Sequence, residues 1–145
     1  MSENCKIYLS GGMSNLSFDE QSKWRKQVKN TILLFKDYDL VKNPIFFDPT
    51  EHYNFEVQEH KTEKEPFEYD LYQLRNSDLV IVNFNDPNSI GTAVELALAY
   101  EYRKPIIGLN EYNKELHPWL LEMTMRMCTD VEELCHYVMD FFLKN

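Results

Sequence analysis

The run Leu79-Val-Ile-Val-Asn-Phe84 constrains the fold of this chain more than any other segment. A strand with one wet face alternates apolar and polar side chains. This run is apolar but for Asn83, the pattern of a parallel strand covered on both faces. A turn-rich stretch, Asp86-Pro-Asn-Ser-Ile-Gly91, follows and leads into a helix-like run that ends near Arg103. Pro105-Ile-Ile-Gly-Leu109 then reads as another short buried strand. The same alternation extends in both directions. Lys6-Ile-Tyr-Leu-Ser10 reads as a strand closed by Gly11-Gly12, and Ser17 with Glu20 fits a capping box ahead of Trp24, Val28, Ile32 and Phe35 at helical spacing. A strand is expected around Pro44–Phe47, ended by Asp48-Pro49, and a helix from Pro66 to Asn76. The polar stretch from Thr50 to Lys64 reads as a long surface loop and a candidate lid. Helices over Pro118–Met127 and Thr129–Leu143 complete the chain, the last opened by a capping box from Thr129 to Glu132. The order predicts one α/β domain over residues 1–145, a parallel sheet of four to five strands between two layers of helices.

With 43% hydrophobic and 14% aromatic residues the chain has the composition of a folded domain, and its 145 residues suffice for a core without disulfides or metals. A formal charge of −9 argues against polymeric nucleic acid, which demands clustered Lys and Arg. The densest basic patch, Lys23, Arg25, Lys26 and Lys29, is expected to be the solvated side of one helix. A small anion is still compatible, because amides and hydroxyls can hold one phosphate without net positive charge. No apolar run approaches the ~18 residues of a membrane span and the N-terminus lacks a secretory signal, so no membrane partner is expected. Cys5, Cys128 and Cys135 lack metal-ligand spacing and read as reduced thiols of a cytoplasmic protein, Cys135 in the core. His52, His60, His117 and His136 show no metal spacing either, and neither metal nor cofactor is expected.

Ligands of parallel sheets bind beyond the C-terminal strand ends, where the strand order reverses. Ser10–Asn15, Asn85–Gly91 and Asn110–His117 gather there. Glu95, the only charged side chain between Ile90 and Tyr100, follows the second of these by one helical turn. It is either a carboxylate that complements the helix dipole and contacts solvent, or a nucleophile kept ionised by the helix amides. Gly91 lets a ligand approach the backbone. Gly11-Gly12-Met13-Ser14 is either a nest of amides for a phosphate or ribose, or a plain tight turn, and it is not the G-x-G-x-x-G fingerprint. Asp70, with Phe67 three residues before and Leu74 four after, is either surface charge or a carboxylate that meets a ligand. His117, before Pro118, either caps a helix or reaches a neighbouring subunit's site.

The order Ile7-Tyr-Leu-Ser-Gly-Gly12, Tyr69-Asp-Leu71, Asn76-Ser-Asp-Leu-Val-Ile-Val82 and Ser89-Ile-Gly-Thr-Ala-Val-Glu-Leu-Ala97 resembles the nucleoside 2-deoxyribosyltransferase superfamily, which includes base-exchanging transferases and N-hydrolases of nucleoside 5′-monophosphates. The resemblance implies a Rossmann- or flavodoxin-like α/β/α domain. It makes Glu95 the nucleophile that attacks C1′ of the sugar, Asp70 the acid that assists the departing base, and Tyr8 the hydroxyl that orients the nucleophile. Ser10, Gly11, Gly12, Met13, Ser14, Ser89 and Gly91 are then substrate-binding. It further implies a homodimer or larger homo-oligomer in which Asn113 and His117 of a neighbour complete each site. Transferases of the family usually carry an aspartate two residues before the glycine matching Gly91, whereas this chain has Ser89, as the monophosphate hydrolases do. A serine hydroxyl can donate to a 5′-phosphate that a carboxylate would repel. Those hydrolases often place an arginine in the first loop, and none stands between Ser10 and Ser17. The leading expectation is a nucleoside 5′-monophosphate N-glycosidase, with a base-exchanging transferase and a non-catalytic nucleotide sensor as alternatives. Gly-Thr-x-x-Glu also occurs in phosphoribohydrolases of the lysine-decarboxylase-like type, whose Pro-Gly-Gly prefix is here Pro87-Asn-Ser-Ile90.

Overall fold

The computed structural model describes residues 3–37, 40–52 and 61–144. β1 (Glu3–Gly11), β2 (Lys42–Phe47), β3 (Leu79–Asn83), β4 (Ile106–Leu109) and β5 (Arg126–Cys128) form one parallel sheet in the spatial order β2-β1-β3-β4-β5. This flavodoxin-like order places the reversal of winding between β1 and β3. All five residues of β3 are buried, as its unbroken apolar run requires. α1 (Phe18–Leu33) and α6 (Val131–Val138) cover one face, and α3 (Lys64–Arg75), α4 (Ile90–Glu101) and α5 (Pro118–Met123) the other. α2 (Pro49–His52) is a single turn after β2.

Alternation along β1 divides the core. Cys5, Ile7 and Leu9 pack toward α1 and α6, while Tyr8 packs with Val80, Val82 and Leu96 under α3 to α5. Burying a side chain of this size stabilises the fold by about 1.5–3 kcal/mol. A one-residue slip of β1 would invert every one of these contacts, so register is strongly fixed. The same register aims Tyr8 and Ser10 at α4.

α1 begins with the expected capping box: Ser17 Oγ accepts from the Glu20 amide, and the Glu20 carboxylate accepts from the Ser17 amide. Four local expectations change. The stretch read as a loop from Thr50 to Lys64 starts within α2 and ends within α3, and the lid reading falls mainly on residues 53–60, outside the described residues. The helix expected to reach Met127 ends at Met123. There the edge of β4 captures the chain, through Met125 N–H on the Ile106 carbonyl (2.8 Å) and Asn110 N–H on the Cys128 carbonyl (2.9 Å). The capping box expected from Thr129 to Glu132 is replaced by an Asp130 cap: Asp130 accepts from the Glu133 amide (2.7 Å), and Glu133 accepts from the Thr129 amide (2.8 Å). The basic patch on α1 is not a solvated face. Lys23 and Lys26 are exposed, but Lys29 pairs with Asp48 (2.7 Å) and Glu51, and Arg25 is 1% exposed.

A π-helical turn over Met139–Leu143 closes the chain, and the Leu143 carbonyl accepts from Val41 N–H (2.8 Å) next to β2. Cys5, Cys128 and Cys135 are free and buried. Among the described residues no helix is long and apolar enough to cross a membrane.

Candidate active site

Glu95 lies in the second turn of α4, on the side that faces the end of β1. Both of its oxygens are held by β1 hydroxyls: Tyr8 donates to Oε2 and Ser10 donates to Oε1 (2.8 Å). Tyr8 and Ser10 are two apart on one strand, hence on one face, and both are fully buried. The Tyr8 ring is fixed by stacking on Phe47 at 5.3 Å between centroids. Glu95 itself keeps partial access to a cavity of about 160 Å³.

That cavity brings together much of the expected site. Asp70 from α3, Gly11, Met13 and Ser14 from the loop after β1, and Ser89 and Gly91 from the start of α4 all line it with Glu95. Ser89 is the N-cap of α4, its Oγ accepting from the Thr92 amide (3.2 Å) and lying 3.0 Å from Thr92 Oγ1. With Thr92 donating both bonds, the Ser89 hydroxyl proton is available to a ligand. At Gly91 a Cβ would meet nothing within 4 Å, so protein packing does not require a glycine there.

Other expected residues stand elsewhere. Neither Gly11 nor Gly12 has positive φ, so neither supplies the left-handed residue of an αR-αL amide nest. Gly12 turns away from the cavity: its amide donates to Asn85 Oδ1 (3.3 Å), and a Cβ would come 2.7 Å from that of Asp86. Its glycine is demanded by close approach of two loops. Ser10 serves the carboxylate rather than lining the cavity. Asn113 and His117 do not line it either, and His117 caps its own helix, accepting from Trp119 N–H (3.1 Å). Asp86 is likewise absent from the lining; its oxygens accept from Asn88 N–H (3.2 Å) and Asn15 Nδ2 (3.4 Å). A larger cleft of about 330 Å³, lined by Trp24, Asn83, Asn85 and Tyr112 among others, does not include Glu95.

Electrostatics correct one expectation. Glu95 lies beyond the first turn of α4, where the dipole's effect has faded, and Ser89 Oγ engages the Thr92 amide. Burial is the largest influence and pushes the Glu95 carboxyl up from its ordinary value, against the hydroxyls of Tyr8 and Ser10 and the charge of Arg25, which pull it down. Burial, then the neighbouring Glu95 charge, also pushes the Tyr8 hydroxyl well up, so Tyr8 keeps its proton and stays a donor. A carboxylate gripped at both oxygens and open to a cavity can attack an electrophilic carbon.

Three participants were not singled out from the sequence. Thr92 orders Ser89, and the Ser-x-x-Thr spacing of an N-cap was its available signal. Phe67 and Val94 stand at the cavity while 55% and 43% exposed, which no local pattern distinguishes from scattered surface apolar residues.

A family profile described as nucleoside 2-deoxyribosyltransferase like matches residues 4–112. No curated protein matches the chain. Among solved structures, a 2-deoxyribosyltransferase of Bacillus psychrosaccharolyticus is similar at 21% identity and TM-score 0.71, over 92% of each chain. A 2-deoxyribosyltransferase of Leishmania mexicana is similar at 17% identity and TM-score 0.61, over 96% of this chain and 99% of that one. A CMP N-glycosidase of Clostridium botulinum is similar at 17% identity and TM-score 0.54, over 92% and 97%. At such identities the structural likeness is one of fold.

Proposed function

The chain belongs to the nucleoside 2-deoxyribosyltransferase-like family, and from that premise we propose that it cleaves the N-glycosidic bond of a nucleoside or deoxynucleoside 5′-monophosphate through a glycosyl ester on Glu95. The observation that carries the reading is the double grip of Tyr8 and Ser10 on Glu95, in one cavity with Asp70 and Ser89. In the first step Glu95 attacks C1′, and the C1′–N bond breaks with its electron pair going to the base, which takes a proton with help from Asp70. In the second step water attacks C1′ from the vacated side, freeing the Glu95 carboxylate and returning a proton to the site. The products are the free base and the sugar 5-phosphate. An oxocarbenium-like transition state of this kind is stabilised by a carboxylate close to C1′.

Two features support a phosphorylated substrate. The Ser89 hydroxyl has a proton to donate at the amide-rich start of α4, and Asp86 is occupied in its own turn. The cavity is smaller than the roughly 300 Å³ at which ligand pockets usually begin, so it suits the sugar and phosphate and leaves the base at its mouth. Ile90, Val94 and Phe67 are exposed on α4 and α3, which supports a second copy covering that mouth and bringing Asn113 and His117 to it.

The test is product analysis of one deoxynucleoside and its 5′-monophosphate, each with and without a second base. Free base from the monophosphate alone, lost in Glu95→Gln, is the expected result. Base exchange on the unphosphorylated nucleoside would replace this reading with the transferase, and binding without turnover would replace it with a sensor.

A further inference from the structure

Arg25 is one of the largest fully buried side chains in the protein, and it carries a charge. Its partners explain why it is tolerated. β2 ends opposite Tyr8, at Phe47, whereas β1 continues to Gly11 along β3. The last carbonyls of β1 that face the β2 side therefore have no strand partner, and buried carbonyls must be paired. Arg25 reaches them from α1: Nε donates to the Leu9 carbonyl (3.2 Å) and Nη2 to the Gly11 carbonyl (3.5 Å), while Nη1 donates to the Gln21 carbonyl of its own helix. Leu9 and Gly11 flank Ser10. The guanidinium thus grips the strand from one face of the sheet at the point where, on the other face, Ser10 and Tyr8 hold Glu95.

We propose that Arg25 is a positioning residue for Glu95, clamping the end of β1 so that the Tyr8 and Ser10 hydroxyls stay in register with the carboxylate. The inference rests on the reading of Glu95 as nucleophile. A planar fork suits the task because it meets several carbonyls at once in fixed geometry, which a lysine ammonium cannot. Its charge contributes as well. The nearest carboxylate, Asp48, stands 3.9 Å away and is itself held by Lys29 (2.7 Å) and Thr50 N–H (2.9 Å). Arg25 therefore acts as counter-charge to Glu95 also, and lowers the Glu95 carboxyl against the effect of burial. Among the described residues, the charged and titratable groups around Glu95 are Tyr8 on β1, Asp70 on α3 and Arg25 on α1, with Asp48 after β2 facing Arg25.

Arg25→Lys and Arg25→Gln, with Glu95→Gln as reference, separate the possibilities. Arg25→Lys keeps charge and loses the fork. It should lower kcat about 10- to 100-fold, the usual cost of small misplacement, with KM within about twofold because Arg25 does not line the cavity. Arg25→Gln should do the same and also move the acid limb of the kcat profile to higher pH. In the ligand-free protein, the ionisation of Glu95 followed by carboxylate infrared absorption should move the same way. If Arg25→Gln does not fold, the kcat-against-KM split in Arg25→Lys decides alone. A merely structural role would lower Tm while leaving kcat per folded molecule and both pH readouts at wild-type values, and that result overturns the proposal. Base release by Glu95→Gln would instead overturn the reading on which it rests.

Discussion

Tyr8→Phe isolates one hydroxyl. The ring is fully buried and stacked on Phe47, and phenylalanine preserves that packing, so the substitution deletes the donor to Glu95 Oε2 and little else. A hydrogen bond to a charged group is worth about 1.5–3 kcal/mol, and here it acts on the ionised form only. Burial already raises the Glu95 carboxyl, so removal of the donor raises it further and shrinks the ionised fraction at acid pH. If ionised Glu95 is the attacking species, as proposed, activity should be lost as pH falls through its folded value. On that limb the loss in kcat/KM should reach roughly 10- to 150-fold, the equivalent of 1.5–3 kcal/mol, and it should narrow as pH rises. The assay is free-base release over a pH series for both proteins, with thermal unfolding to confirm the fold. An unchanged acid limb, with activity either intact or reduced equally at every pH, would refute the argument.

Other consequences are more local. Glu95→Gln should raise Tm at neutral pH, because it removes a buried carboxylate whose folded value is raised, and the gain should shrink as pH falls below that value and be gone below the ordinary carboxyl value; calorimetry at several pH values checks it. Gly91→Ala should leave Tm unchanged or slightly higher, since its Cβ meets nothing and alanine favours a helix, yet raise KM in steady-state assays because Gly91 faces the cavity. Burial pushes the thiols of Cys5 and Cys128 up to about 11 and that of Cys135 to about 12. Native protein at neutral pH should therefore resist thiol-alkylating reagents until it is unfolded, as intact mass would report.

The parallel sheet was legible because β3 is apolar without alternation and each strand is followed by a helical period. Ser17 and Glu20 marked the start of α1 through chemistry that is wholly local. β5 was not legible. Arg126-Met-Cys128 has no strand pattern of its own and becomes a strand because the edge of β4 accepts it. At the site, Glu95 stood out as the one charge in an apolar helix, Ser89 and Gly91 as the turn that opens it, and Asp70 as a carboxylate bordering an apolar stripe, and they share one cavity. Gly12 stands outside the cavity lining: glycine marks close approach as readily as a ligand loop, and only the fold shows that Asp86 lies opposite. Arg25 was misread for a related reason. Two helical turns rich in Lys and Arg look solvated from the sequence, and the carbonyls that draw Arg25 inward belong to a strand 14 to 16 residues away.

The central claim is a covalent bond between C1′ and Glu95. Acid quench during turnover of a 5′-monophosphate substrate, followed by digestion and mass spectrometry, tests it directly. The expected result is a peptide containing Glu95 heavier by one dehydrated sugar phosphate, absent from Glu95→Gln. Base release without an adduct on Glu95, even with a substrate analogue that slows the second step, or an adduct on Asp70, would contradict it.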